Sequence, residues 1–183
     1  MKTKPAIFIT QTAVMLALLM GTQFITKPLG QFVTGSLVNL ILLISVFIVG
    51  IRSGIIVAAL SNFLAFLVGM GPVFIQIVPF VAVGNVLLVV IANLVRKHMT
   101  KGNVKDVLMS AAGLVAASIA KFLFLWLGLV MIALPFIPGI KEQQIAMISA
   151  AFSWPQLVTA LIGSALSMMI VPLLKRAIKA AVK

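Results

Sequence analysis

The sequence has 183 residues, of which 63% are hydrophobic and only 9% charged, and a formal net charge of +12. A soluble domain carries about 25% charged residues, so this composition excludes an ordinary soluble protein and predicts an integral membrane protein. With no cysteine, disulfides, thiolate metal sites and a cysteine nucleophile are excluded as well.

A spanning helix needs about 20 apolar residues, and the chain offers six such segments, read as one membrane domain over its whole length. The first runs from Ala6 to Ile25. Met1-Lys2-Thr3-Lys4 before it mimics a signal peptide, but no small-residue cleavage site follows Leu19, so it is read as a retained helix. The second runs from Phe32 to Val49 after the turn Lys27-Pro28-Leu29-Gly30, and the third, a short one, from Gly54 to Met70. Gly69-Met70-Gly71-Pro72 is a tight turn, and Pro72 is expected to start the fourth helix, which reaches Val95. The fifth runs from Val107 to Ala133, ended by Pro135-Phe136-Ile137-Pro138-Gly139, and the sixth from Ser153 to Leu174. The fold class expected is therefore all-α, with six transmembrane helices.

The basic residues fall mostly between and after the apolar runs. They read as topology signals and as contacts for anionic lipid headgroups, not as a nucleic-acid surface. One side of the membrane receives Lys2, Lys4, Arg52, Arg96, Lys97, Lys101, Lys105, Lys175, Arg176, Lys179 and Lys183; the other receives Lys27 and Lys141. Six spans with both termini cytoplasmic account for this asymmetry, whereas five would place one basic terminus outside.

Lys121 is the single cation left inside a span. A charge at the bilayer centre costs about 2.5–3.5 kcal/mol or more, which an anionic ligand, or snorkelling of the long stem to the surface, must offset. At about 1.5 Å per helical residue, the topology places Lys121 near the middle or in the outer half. The same half holds Gln31 and Thr34 at the outer end of the second helix, Asn39 about two turns below, and Gln76 and Asn85 on the fourth. Trp126, Trp154 and Gln156 complete it. A cavity open to the outside and closed below would use all of them. The tryptophans also read as interfacial belt residues, and the amides as interhelical glue, which is the stronger reading for Asn62.

Much chemistry is absent. The two acids, Asp106 at the start of the fifth helix and Glu142 in the outer loop, lie outside the spans. Proton- and sodium-coupled transport is thereby disfavoured, as is a cationic substrate. The lone histidine, His98, reads as a solvated loop residue, and no set of metal ligands can be assembled. There is no G-x-x-x-x-G-K-[ST] sequence, so the chain does not hydrolyse ATP itself. These features describe a binder or conduit, with no cofactor, and not an enzyme.

The first helix carries Ala13, Ala17 and Gly21 in one stripe, which allows another helix to approach closely. With this alanine pair, six helices and a basic cytoplasmic face, the chain resembles the S components of energy-coupling factor (ECF) vitamin transporters. The resemblance extends through Gln31-Phe32-Val33-Thr34-Gly35-Ser36-Leu37-Val38-Asn39, Gly69-Met70-Gly71-Pro72, Gln76-Ile77-Val78-Pro79-Phe80, Gly84-Asn85 and Phe152-Ser153-Trp154-Pro155-Gln156. It implies a protein of a prokaryotic plasma membrane that binds a vitamin or related micronutrient from outside. Such a protein docks on one membrane T subunit and two ATPase subunits, Ala13 and Ala17 packing on the T subunit, and topples to deliver its ligand. The loop from Thr26 to Gln31 would cover the site. Lys121, Asn39, Gln76, Asn85, Gln156 and Gln31 are the expected polar contacts and Trp126 and Trp154 the apolar faces, with an anionic ligand such as pantothenate suiting Lys121. A stand-alone small transporter or channel, and a non-transport membrane assembly factor, are the alternative readings.

Overall fold

The computed structural model describes residues 5–99 and 103–181. Lys2, Lys4, Lys101 and Lys183, counted above on the basic side, lie outside the described residues. The described chain is helical: α1 Pro5–Thr26, α2 Gln31–Ile44, α3 Ile51–Leu67, α4 Val78–Leu94, α5 Val104–Leu123, α6 Glu142–Phe152 and α7 Trp154–Ala181. A π-helical turn, Ser45–Val49, extends α2, and a π-helical stretch, Phe124–Ala133, extends α5. Five helical segments are long and apolar enough to cross a membrane: Pro5–Leu29, Gln31–Val49, Ile75–Leu94, Val104–Phe136 and Glu142–Ala181. Ile51–Leu67 is apolar but shorter.

Two boundaries differ from the sequence reading. Pro72 does not start α4: residues 70–74 are non-helical, a 3-10 turn follows at Ile75–Ile77, and α4 begins at Val78 with Pro79 in its first turn. The turn is held from behind, because the N–H groups of Met70 and Gly71 both donate to the Ala65 carbonyl at the end of α3. The connection between the fifth and sixth segments also contains a helix of its own, α6, whose Gln144 side chain accepts from the Lys141 N–H at its start. Its apolar residues Ile148 and Phe152 pack beside Ile77, Leu125 and Leu129, which is why an 11-residue segment too short to span is helical.

Each helix packs on its neighbours in the order α1, α2, α7, α5, α4, α3 and back to α1, with α2 also reaching α4. The closest approach joins α2 and α7. A Cβ on Gly163 would stand 2.7 Å from Asn39 Cβ, 2.8 Å from the Ser36 carbonyl oxygen and 2.9 Å from Leu40 N, so only glycine fits. Hydrogen bonds between hydroxyls tie the other crossings: Thr12 Oγ1 donates to Ser53 Oγ (3.0 Å), which lies 3.2 Å from Ser45 Oγ, and Ser118 and Ser164 pair at 3.2 Å. Without a hydrophobic driving force between helices in lipid, such close packing and polar contacts hold a bundle together. The main apolar cluster fills the half beyond Asn39, with Leu42, Leu43, Val46 and Phe47 of the second segment against Leu88, Leu114 and Val171.

Candidate functional site

A cavity of about 360 Å³ lies between α2, α4, α5 and α7 at the end where α1 meets α2 and α3 turns toward α4. Its walls bring together Gln31, Asn39, Asn85, Lys121 and Gln156, five of the eight residues expected to bind a ligand, with Gln23, Thr34, Asn62, Met70, Pro72, Ala151 and Phe152. The larger apolar cluster closes it below Asn39.

The deepest feature is a polar relay from α5 across α2 to α7. Lys121, only 3% exposed, donates from Nζ to Asn39 Oδ1 at 2.6 Å. Asn39 Nδ2 is in turn 3.5 Å from Thr159 Oγ1, which donates to the Gln156 carbonyl at 3.2 Å. The Lys121 bond fixes which way the Asn39 amide points. An ammonium has three donors, and Lys121 uses one of them among the described residues. Its snorkelling alternative is not adopted: the side chain stays inside the bundle.

A second amide pair lines the opposite wall. Asn62 Nδ2 donates to the Ala58 carbonyl at 2.7 Å, so its Oδ1 must accept, and Asn85 Nδ2 supplies that bond at 3.2 Å. Asn85 Oδ1 is then left buried with no partner, as is Gln23 Oε1. A buried acceptor without a partner costs about 1–3 kcal/mol, and two of them beside a cavity mark where donors from a bound molecule would be accommodated.

Contacts between connecting segments border the mouth. Gln31 Nε2 and Gln156 Nε2 both donate to the Ala151 carbonyl, at 2.5 and 3.2 Å. Thr34 Oγ1 donates to the Thr26 carbonyl at 2.8 Å, and Lys27 Nζ to the Gly69 carbonyl at 2.7 Å. The turn between α1 and α2 is thus attached both to the α3–α4 connection and to the end of α6.

Three expected residues are not brought to the cavity. Gln76 lies in the 3-10 turn that buries Ile77, and its own side chain is exposed. Trp126 stacks on Phe122 at 6.1 Å between ring centroids and is 37% exposed, because Leu125 and Leu129 take the inward face of the π-helical stretch. Trp154 is 60% exposed and rests on Phe32 at 5.6 Å, at the rim and not in the cavity.

Asn62 combines both readings, since it bonds Asn85 across two helices and also lines the cavity. Gln23 and the α6 residues Ala151 and Phe152 were not anticipated. Gln23 carried a usable signal, because it is the one amide in the last turn of α1 at the depth of the others.

At the opposite end, His98 is not a free loop residue: its Nδ1 pairs with Asp106, which is itself tied to Asn103 capping α5. Ala13 and Ala17 are exposed on the outer face of α1. Among the described residues no group of three potential metal ligands occurs.

A protein-family profile described as "ECF transporter, substrate-specific component" matches residues 11–175. No curated protein and no solved structure gives a significant match.

Proposed function

Because the chain belongs to the family of ECF transporter substrate-specific components, which its match over residues 11–175 establishes, we propose that it captures a small anionic organic molecule in the cavity beside Lys121. It is a multi-pass membrane protein and a transport component, of a family of substrate-binding subunits and not of enzymes. The reading adopts six spans, with α3 as the short sixth, both termini cytoplasmic, and the plasma membrane of a prokaryote as its location. The cavity then opens to the outside.

The observation that carries the proposal is the buried Lys121–Asn39 pair on the cavity wall. The ammonium lies in a bundle whose two acids, Asp106 and Glu142, start α5 and α6 and so lie away from it. A ligand carboxylate offsets the cost of a desolvated cation more fully than a neutral amide does, because charge-assisted hydrogen bonds are about twice as strong as neutral ones. Asn39 positions the ammonium for the anionic end, the Gln156 side chain lines the same cavity, and the unpartnered oxygens of Asn85 and Gln23 take O–H or N–H groups of the same molecule. Apolar walls with a few placed polar groups are the general pattern of small-molecule sites. A vitamin or related micronutrient of this chemistry fits the family, pantothenate being the example weighed from the sequence.

Delivery falls to partners, a membrane T subunit and two ATPase subunits, with Ala13 and Ala17 on the exposed face of α1 as the contact to the T subunit. The test is mass spectrometry of molecules that copurify with the protein, followed by binding of the molecule found to wild type and Lys121→Ala. A carboxylate-bearing compound lost from the variant supports the reading. Equal affinity removes Lys121 from the site.

A further inference from the structure

We infer that the end of the bundle opposite the ligand cavity holds a second anion site, built by Arg52 and Arg96 for a phosphate or phosphodiester group. A cavity of about 410 Å³ lies there between the start of α1, the corner joining the α2 segment to α3, and the residues after α4. Arg52 and Arg96 supply its charge, and Pro5, Phe8, Val49 and Ile51 its apolar walls.

Arg96 is seated at the corner. Its guanidinium nitrogens lie 3.6 and 3.9 Å from where a Cβ on Gly50 would stand, so the group rests over the backbone of that glycine. Gly50 adopts φ 136°, a conformation that favours glycine. It also precedes the first turn of α3, whose N–H groups receive no side-chain cap. Those N–H groups add a partial positive charge to the same corner.

The described residues that line this cavity include no carboxylate. Among the described residues the one ion pair is His98–Asp106, and neither arginine takes part in an ion pair. The other acid, Glu142, begins α6 at the far end. Lys175 of α7 stands close enough to Arg96 to interact with it repulsively. Two arginines lining a cavity whose described walls hold no carboxylate suit a group that offers several oxygens at once, and arginine binds phosphate in a bidentate manner. The apolar half of the lining accommodates a carbon skeleton beside the anion.

Two sources share this chemistry: the headgroup of an anionic phospholipid in the adjoining leaflet and free phosphate. They are separated by two measurements on the full chain, delipidated in neutral detergent. Native mass spectrometry compares retention of dioleoyl-phosphatidylglycerol with dioleoyl-phosphatidylcholine. Calorimetry titrates inorganic phosphate against chloride at equal ionic strength. Each is run on wild type, on R52Q/R96Q, and on K141Q as a control at the other end.

The expected result is preferential retention of phosphatidylglycerol, reduced about tenfold in R52Q/R96Q and unchanged in K141Q. A phosphate heat that disappears in R52Q/R96Q supports the site equally and shows that the free ion suffices. If R52Q/R96Q does not elute as a folded species, R96K replaces it, keeping the charge but losing the fork, with about a threefold reduction expected. Equal retention of the two lipids together with no phosphate heat, or equal losses in K141Q and the arginine variant, or retention unaffected by any arginine substitution together with no phosphate heat, overturns the proposal.

Discussion

The helices α1 and α2 are adjacent and both apolar enough to cross a membrane, yet 11% of the most apolar stretch of the α1 segment is buried against 61% for the α2 segment. The difference lies in what their small and polar residues face. In α2, Asn39 and Ser36 lie against Gly163 of α7, so the helices close to backbone contact and bury the polar group between them. In α1, Thr12, Leu19 and Thr26 turn inward, while Ala13, Ala17 and Gly21 form a shallow strip on the outside. Apolarity selects which segments enter the bilayer; the direction of the small residues decides which segment becomes the centre and which keeps a face free for another protein.

The sharpest way to break this contrast is Gly163→Leu. The added side chain has no room between Asn39 and the Ser36 carbonyl, and forced overpacking costs about 1–3 kcal/mol or more. We expect a loss at the upper end of that range, seen as a large fall in thermal unfolding temperature in detergent, with ligand binding lost as α2 and α7 separate. The same substitution at Gly21, where a Cβ would meet nothing within 4 Å, should leave stability unchanged.

Next in size is Lys121→Met. Removing one partner of a buried hydrogen-bonded charge contact costs about 2–5 kcal/mol of binding, so an anionic ligand should bind at least about 30-fold more weakly by calorimetry. The variant should remain folded, because a methionine of similar length no longer has to be solvated inside the bundle. Retained affinity would disconnect the centre of the bundle from recognition.

Ala13→Trp tests the outer strip. It should reduce copurification of a coexpressed T subunit about tenfold while shifting stability by less than about 0.5 kcal/mol, the usual range for surface substitutions. An unfolded variant would mean that α1 is packed where it is described as free. Smallest of all should be Gln76→Ala and Trp126→Leu, which lie outside the cavity: binding measured on the same ligand is expected within about twofold of wild type.

The sequence shows which segments are apolar because hydropathy is local. It also shows Lys121, because a lone cation among Phe122, Leu123 and Leu125 has no local explanation. Helix rotation is not local. Trp126 sits five residues after Lys121, but the π-helical stretch presents Leu125 and Leu129 inward, and the indole goes out to Phe122. Gln76 reads as the first turn of a helix, whereas a 3-10 turn carries it and leaves its side chain exposed. The pairing of Asn62 with Asn85 joins residues 23 apart in the chain and depends on how α3 leans on α4. His98 reads as a solvated loop residue, but it pairs with Asp106, which Asn103 caps at the start of α5.

The turn between α1 and α2 is held to its surroundings by the Lys27–Gly69 and Gln31–Ala151 hydrogen bonds, while Thr34–Thr26 closes the turn on itself. A typical hydrogen bond contributes about 0.5–1.5 kcal/mol net, so the two external bonds together amount to about 1–3 kcal/mol. If both must break before a captured molecule leaves, they slow its escape by about five- to 160-fold. Because they are contacts between polypeptide segments, they slow entry by the same factor and leave the equilibrium constant untouched. In the proposed function, the turn then sets how long a molecule stays, whereas Lys121 and the amides set which molecule is held. Shortening the Lys27 side chain should accelerate association and dissociation together.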